Sequence, residues 1–266
     1  MTRGVQQGDG PSDTLNWQSP GAKFTGFFHP LSYGSFELNL MASTPIYNLD
    51  QTIRERRSVR GFFPDKPVPH AVMVEALELA QRAPSNCNVQ PWRTFVVGGA
   101  ACQRLRKTLC EAILAGQPPD PDDDVDAFPD DYRRLQVDCA VALYREMGVA
   151  RGDHAGRAKA LLRNFELFDA PHVAIVCMEK QFGLGVALDV GMYVQTLMLA
   201  LWARNVGSCA QASLRQYPGI LRDELNIPHH LRILCGVSFG YEDPSVPANR
   251  CRQSREPIDR NVTFIE

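Results

Sequence analysis

Residues 187–204 constrain the fold more than any other part of the chain. Apolar side chains fall on nearly every side of the helix that this stretch would form, so it has no face suited to water. Such a helix must be covered, either at the centre of the molecule or between two subunits. Gly191 within it marks a place where a neighbour comes close.

The rest of the sequence supplies the cover. Residues 172–178 (HVAIVCM) and 231–239 read as strands, 94–97 as a buried strand ahead of Gly98-Gly99, and 208–213 as a short strand or extended loop. A helix starts at Asn48 or Asp50, with Leu49 and Ile53 on one face, and ends at Arg56-Arg57. Pro64 and Pro67 punctuate an extended link. Pro69 opens a second helix, since its missing N–H has no intrahelical partner there. Its apolar stripe is Val72, Ala76, Leu79 and Ala80. Further helices are expected over 131–147, 153–168 and 216–225. Strand spacing is irregular, with no internal repeat and no regular βα unit. The expected fold is α+β, one sheet with helices packed on it, over residues 46–266. Residues 1–45 read as an irregular N-terminal extension, with more regular sequence beginning at Met41. The acidic, Pro-rich stretch 118–131 reads as a mobile solvated loop or as the rim of an active site. The tail is polar from Pro247 until 262–265, which could add a last strand.

Several function classes fall away. Net charge is −2, from 28 basic and 30 acidic residues, so no global basic excess points to nucleic acid. The eight cysteines form no C-x-x-C pair, which argues against zinc and thioredoxin-type sites. Cys177 and Cys235 lie in apolar runs and read as small buried thiols, in keeping with a reducing, cytoplasmic setting. No run of 18 uncharged apolar residues suggests a membrane span. Gly183-Leu184-Gly185 lacks the third glycine of a dinucleotide fingerprint. His229-His230 has no companion ligands nearby in sequence, and no metal is expected. Glu166 and Asp169 read as a solvated helix face.

Two motifs remain. Arg56-Arg57-Ser58-Val59-Arg60 places three cations and a hydroxyl within five residues. Guanidinium forks and a hydroxyl together suit a phosphate dianion. Ala83-Pro84-Ser85-Asn86-Cys87-Asn88-Val89-Gln90-Pro91-Trp92 is a polar loop closed by Pro-Trp, fit to hold a polar heterocycle. A second cationic cluster, Arg250, Arg252 and Arg255, lies in the tail.

At these residues the chain resembles the nitroreductase family of flavin mononucleotide (FMN)-dependent oxidoreductases, over residues from about 46 to 266. The matching pieces run in order: the R-R-S-x-R run, A-P-S-x-x-N-x-Q-P-W, Asn164-Phe165 with Phe168 and Ala170-Pro171, the apolar helix into Asn205-Val206-Gly207, and Ser254-Arg255-x-Pro257. The resemblance implies a nitroreductase-like central sheet flanked by helices in an intertwined homodimer. FMN would lie at the subunit interface, and the C-terminal arm would reach over the partner. Arg56 and Arg255 match phosphate ligands, Ser58 a ribityl–phosphate contact, and Arg57 a contributor to the same pocket. Arg60 matches the cation near flavin N1 and O2. Ser85, Asn86 and Asn88 match a ring-lining loop supplied by the partner subunit. Asn164 matches a residue near the pyrimidine edge. Ala210, Gln211, Ala212 and Ser213 match the segment whose backbone faces flavin N5. Phe165 and Phe168 are candidates for stacking on an aromatic acceptor, with core packing as the alternative. Many members carry Pro, Gly or acidic residues where this chain has Ala-Gln-Ala-Ser, and Lys where it has Gln253. The implied activity passes hydride from NADPH or NADH through FMN to a nitroaromatic or quinone, in ping-pong order. Other flavin chemistries on the same fold are the alternatives (reductive dehalogenation, enoate-type reduction, flavin-dependent oxidation), as is a non-enzymatic flavin-binding protein. The implied partners are a second copy of the chain and a small-molecule acceptor, with no nucleic acid and no membrane.

Overall fold

The computed structural model describes residues 48–123 and 127–266; the expected extension over 1–45 lies outside them. The elements are α1 (Leu49–Glu55), α2 (His70–Ala80), β1 (Arg93–Gly98), α3 (Gly99–Leu114), α4 (Asp130–Glu146), α5 (His154–Leu162), β2 (His172–Glu179), α6 (Leu184–Trp202), β3 (Gly207–Gln211), α7 (Pro218–Leu225), β4 (Leu231–Gly240) and α8 (Ile258–Asn261). The four strands form one antiparallel sheet in the order β1-β2-β4-β3. The α+β expectation holds.

β2 is buried on both sides, which is why its sequence is continuously apolar instead of alternating. Ala174, Val176 and Met178 pack with α2 and α6 on one face, while Val173, Ile175 and Cys177 pack with α3 and α7 on the other. In β4 the same period of two breaks once. Leu231 and Ile233 face the α3/α7 side, yet Val237 and Phe239 face the α2/α6 side. The register jumps between Val176–Cys235 and Cys177–Ile233, which leaves Leu234 as an extra residue. One inserted residue exchanges the two faces of a strand, so this bulge lets β4 serve both cores.

α6 packs Val190, Tyr193, Leu197 and Leu201 into the larger core. By length and composition it could cross a membrane, but here it lies against α2 and the sheet, with Asp189 buried and accepting the Asn86 N–H at 3.0 Å. Burial is not complete all round. Leu184 and Leu188 are 89% and 69% exposed in the protomer: they lie on the open face of the first two turns, whose other face packs Val186, Ala187 and Val190 on the core.

Other expectations are corrected. Residues 94–97 do not form a buried strand: β1 sits at the sheet edge, and of those four residues only Val97 is buried. Leu79 is exposed because the buried stripe of α2 centres on Ala76 and Ala80. α3 was not expected at all, although Cys102, Leu105 and Leu109 are its buried stripe. α5 stops at Leu162, well short of 168. Beyond it Leu167, Phe168 and Asp169 all adopt positive φ (53°, 54° and 65°), which is uncommon for non-glycine residues and most unusual for Leu and Phe. Arg163 holds this turn by bonding Glu166 and Asp169, each at 2.6 Å, and Phe168 N–H donates to the Arg163 carbonyl. Residues 262–265 form no strand; they follow α8 in extended backbone with Phe264 and Ile265 exposed.

Most described residues of the acidic loop are exposed, but its Asp122 and Asp123 are tied to the protein. Asp122 accepts from Arg222 at 2.5 Å, Lys180 at 3.1 Å and the Ile233 N–H at 3.3 Å. Asp123 pairs with Arg232 at 3.2 Å. Burial alone would raise the Asp122 carboxyl pKa, but these three donors outweigh it and hold it below the usual range.

Candidate functional site

A capping box starts α1: Asn48 Oδ1 accepts the Gln51 N–H while Gln51 reaches back to the Asn48 N–H. After Glu55 the chain becomes extended and runs beside β3. Ser58 bridges Ser208, and the Val59 N–H donates to the Ser208 carbonyl at 3.0 Å. Extended backbone sends alternate side chains in opposite directions. Val59 packs on Gly207, and Arg57 lies over the Trp202 ring, 4.8 Å from its centroid, and pairs with Glu242. Arg57 is therefore already engaged within the protein by Glu242 and Trp202.

Arg56, Ser58 and Arg60 take the other direction and share Cys209. Burial pushes the Cys209 thiol pKa up, against the pull of Arg60, a hydrogen bond with Ser58, and Arg56. The Arg56 guanidinium pKa is lowered, first by burial and then by the like charge of Arg255. Residues 199 positions apart in sequence (255 − 56) thus converge on one corner. Among the described residues, none of Arg56, Arg60 and Arg255 is ion-paired. The buried hydroxyls of Ser208 and Ser213 have no hydrogen-bond partner among them either. A corner of repelling cations, with the unsatisfied Ser208 hydroxyl on the strand beside it, fits a phosphate-bearing cofactor.

Asn249, which belongs to no motif, fixes the Arg60 loop. It is buried, accepts the Arg60 N–H at 2.7 Å, and donates to the carbonyls of Gly61 and Asp243, both at 2.8 Å. Cys209 was equally unforeseen. Gln253 donates to the Cys139 carbonyl at 3.2 Å and so ties the tail to α4. In this chain that position serves docking.

The loop 85–90 bends through positive φ at Cys87, Asn88 and Gln90. Ser85 Oγ accepts the Gln90 N–H at 3.0 Å, closing the loop on itself. Trp92 anchors its end by stacking on Tyr193 at 4.9 Å and donating to Gln81 Oε1 at 2.8 Å. Asn86 and Asn88 remain exposed. All eight cysteines are free, and only Cys87 is exposed; burial pushes Cys177 up to about 12 and Cys235 up to about 11.

On β3, Ala210 is exposed, as is Ala212 at the start of the following turn, while Ser213 is half-buried. Gln211 is buried and engaged: its Nε2 donates to the Asn164 carbonyl at 2.6 Å, and its Oε1 accepts from Ser238 at 2.5 Å. It is a structural bridge, so this segment offers a ligand backbone and methyl groups more than side-chain polar groups. Asn164 donates to the Leu161 carbonyl at 3.1 Å. A cavity of about 490 Å³ opens between α4, α5 and the turn at 246–248, and Arg60, Asn164 and Phe168 line it. Phe165 does not. Its ring packs edge-on against Tyr217 at 5.4 Å in the α3/α7 core, the core-packing alternative.

Fold and site together define an α+β protein with a cationic corner built for an anionic cofactor and a small-ligand cavity beside it. The sequence matches the Nitroreductase family over residues 53–241. A relative from Nocardioides sp. (strain LMS-CY), named 4-nitrobenzoate reductase, is 36% identical over 85% of this chain and 93% of its own. The FMN-dependent nitroreductase NfnB from Mycobacterium smegmatis, solved with NADPH, superposes with a TM-score of 0.78 at 34% identity, covering 82% of this chain and 97% of that one. An FMN- and NADPH-dependent NfnB from Sphigopyxis sp. strain HMH gives a TM-score of 0.80 at 30% identity, covering 83% and 100%. The chain belongs to the nitroreductase family.

Proposed function

We propose that the protein is an FMN-dependent oxidoreductase that uses NADPH to reduce nitroaromatic compounds, working as a homodimer. The observation that supports this reading best is the convergence of Arg56 and Arg255 with no carboxylate between them. Two guanidiniums held in mutual repulsion are stabilised by a dianion, and each charge-assisted hydrogen bond to it contributes about 1.5–3 kcal/mol. Relatives of this chain use FMN and NADPH, and one is named for a nitrobenzoate.

When bound, FMN supplies hydride acceptance and donation at its ring. The protein's residues place and tune it. Arg56 and Arg255 hold the phosphate, with Ser58 beside it. Arg60, fixed through Asn249, would supply the positive charge that favours the reduced, more anionic flavin. Ala210, Ala212 and Ser213 turn backbone toward the ring. Ser85, Asn86 and Asn88 of the partner subunit complete the pocket. The exposed apolar residues Leu184, Leu188, Phe264 and Ile265 suit burial against a second copy. One cavity beside Arg60 admits donor and acceptor in turn, a ping-pong order, and quinones fit the same space. For a nitro group the first two-electron step gives nitroso compound, NADP⁺ and water, with protons taken from solvent.

The test is an anaerobic titration. Protein loaded with FMN is expected to bleach near 450 nm (roughly where oxidised flavin absorbs) within seconds of adding NADPH, and to regain colour on adding nitrobenzene. Protein that takes up no FMN overturns the reading. Bound flavin that neither NADPH nor NADH bleaches makes this a flavin-binding protein without the activity.

A further inference from the structure

The cavity of about 490 Å³ takes in Arg60 but none of Arg56, Arg255 and residues 210–213, so it begins where the proposed cofactor track ends. That volume falls in the size class of small-ligand sites. Leu143, Met147, Val246 and Phe168 give it apolar walls. From α5 and the turn after it, Gly156, Lys159, Ala160 and Arg163 face it, the i, i+3, i+4, i+7 spacing of one helical face.

Three cations reach this space, and they differ in what already neutralises them. Arg163 is held by Glu166 and Asp169 at 2.6 Å each. Arg60 faces the flavin edge under the function proposed above. Lys159 forms no ion pair among the described residues. The cavity's one acid, Asp153, is the N-cap of α5 and accepts the Gly156 N–H at 2.8 Å. We infer that Lys159 is a specificity-determining residue that receives an anionic ring substituent of the acceptor, so that the preferred substrates are nitroarenes carrying a carboxylate. The apolar walls take the ring, the nitro group is directed toward the Arg60 end, and the carboxylate toward Lys159. This rests on the proposed function for the reacting partner, but the pocket's preference for anions can be tested apart from turnover.

Two measurements on the FMN-loaded protein test it. The first is kcat/KM for 4-nitrobenzoate relative to its neutral analogue 4-nitrobenzamide. The expected ratio favours the carboxylate; Lys159→Gln lowers that ratio about two- to fivefold, and Lys159→Arg restores most of it. The second is binding of unreactive benzoate, read from the flavin absorbance, which weakens by a similar factor in Lys159→Gln. Lys159 is exposed, so neither variant threatens folding, and melting curves check this. An unchanged ratio together with unchanged benzoate binding overturns the inference. If Lys159→Gln instead raises KM for NADPH and not for NADH, the lysine reads the donor's 2′-phosphate and the inference fails. If neither nitro compound is reduced while benzoate binding still depends on Lys159, the proposed function fails and the anion pocket stands.

Discussion

Two charged regions of this protein are built from similar side chains and end in opposite states. Around Asp122, every carboxylate has a cation: Arg222 and Lys180 on Asp122, Arg232 on Asp123. Around Arg56, cations meet each other, and Arg255 lowers the pKa of its neighbour instead of being neutralised. The first region is complete as it stands and pins a loop to the end of β4. The second gains stability only when a further negative charge arrives. Within one chain, the balance of charge separates an anchor from a receptor.

The largest effect is expected where a completed pair is broken. Asp122→Ala leaves Arg222, only 8% exposed, without its carboxylate, and should cost about 3–5 kcal/mol of unfolding free energy in urea. The wild-type carboxyl has a folded pKa below its unfolded one. Its contribution is therefore present above the unfolded value of about 4 and lost as pH falls below it. The gap between wild type and Asp122→Ala should narrow on acidification through that range, and a constant gap would contradict the assignment.

At the other region the protein should fold and the ligand should suffer. Arg56→Ala is expected to weaken FMN about ten- to a hundredfold by calorimetry, with little loss of melting temperature in the flavin-free protein. Loss of one repelling charge there could even raise it. Arg57→Ala sharpens the comparison at the next residue. Because Arg57 is committed to Glu242 and Trp202, its removal should cost about 1 kcal/mol of stability and leave FMN affinity within about twofold. Equal losses of FMN in the two variants would erase the distinction.

The parts legible in sequence were those with local signals. β2 showed as six apolar residues in a row, Val173 to Met178, and the R-R-S-x-R run announced a cationic corner. Which arginine did what was not legible as a motif, although the alternation of extended backbone separates Arg57 from Arg56 and Arg60 once strand-like pairing with Ser208 is known. Its partner Glu242 stands 185 residues away. α3 was missed even though 102, 105 and 109 carry a helical stripe, because polar residues between them diluted it. The helix expected over 153–168 overran because neither Gly nor Pro warns of the left-handed turn at 167–169. The strand expected at 262–265 had the right residue types and no neighbouring strand to bond, and propensity alone does not make a strand. Phe165 and Phe168, three apart, look alike on paper; both are buried, in different clusters, and only the second also lines the cavity.

The distribution of thiols has a practical side. With Cys87 open to solvent at the tip of the loop 85–90 and Cys177 and Cys235 shut away with raised pKa values, an alkylating dye reaches that tip first. A fluorophore attached there would turn the native sequence into its own reporter of cofactor arrival, with no residue engineered in or out.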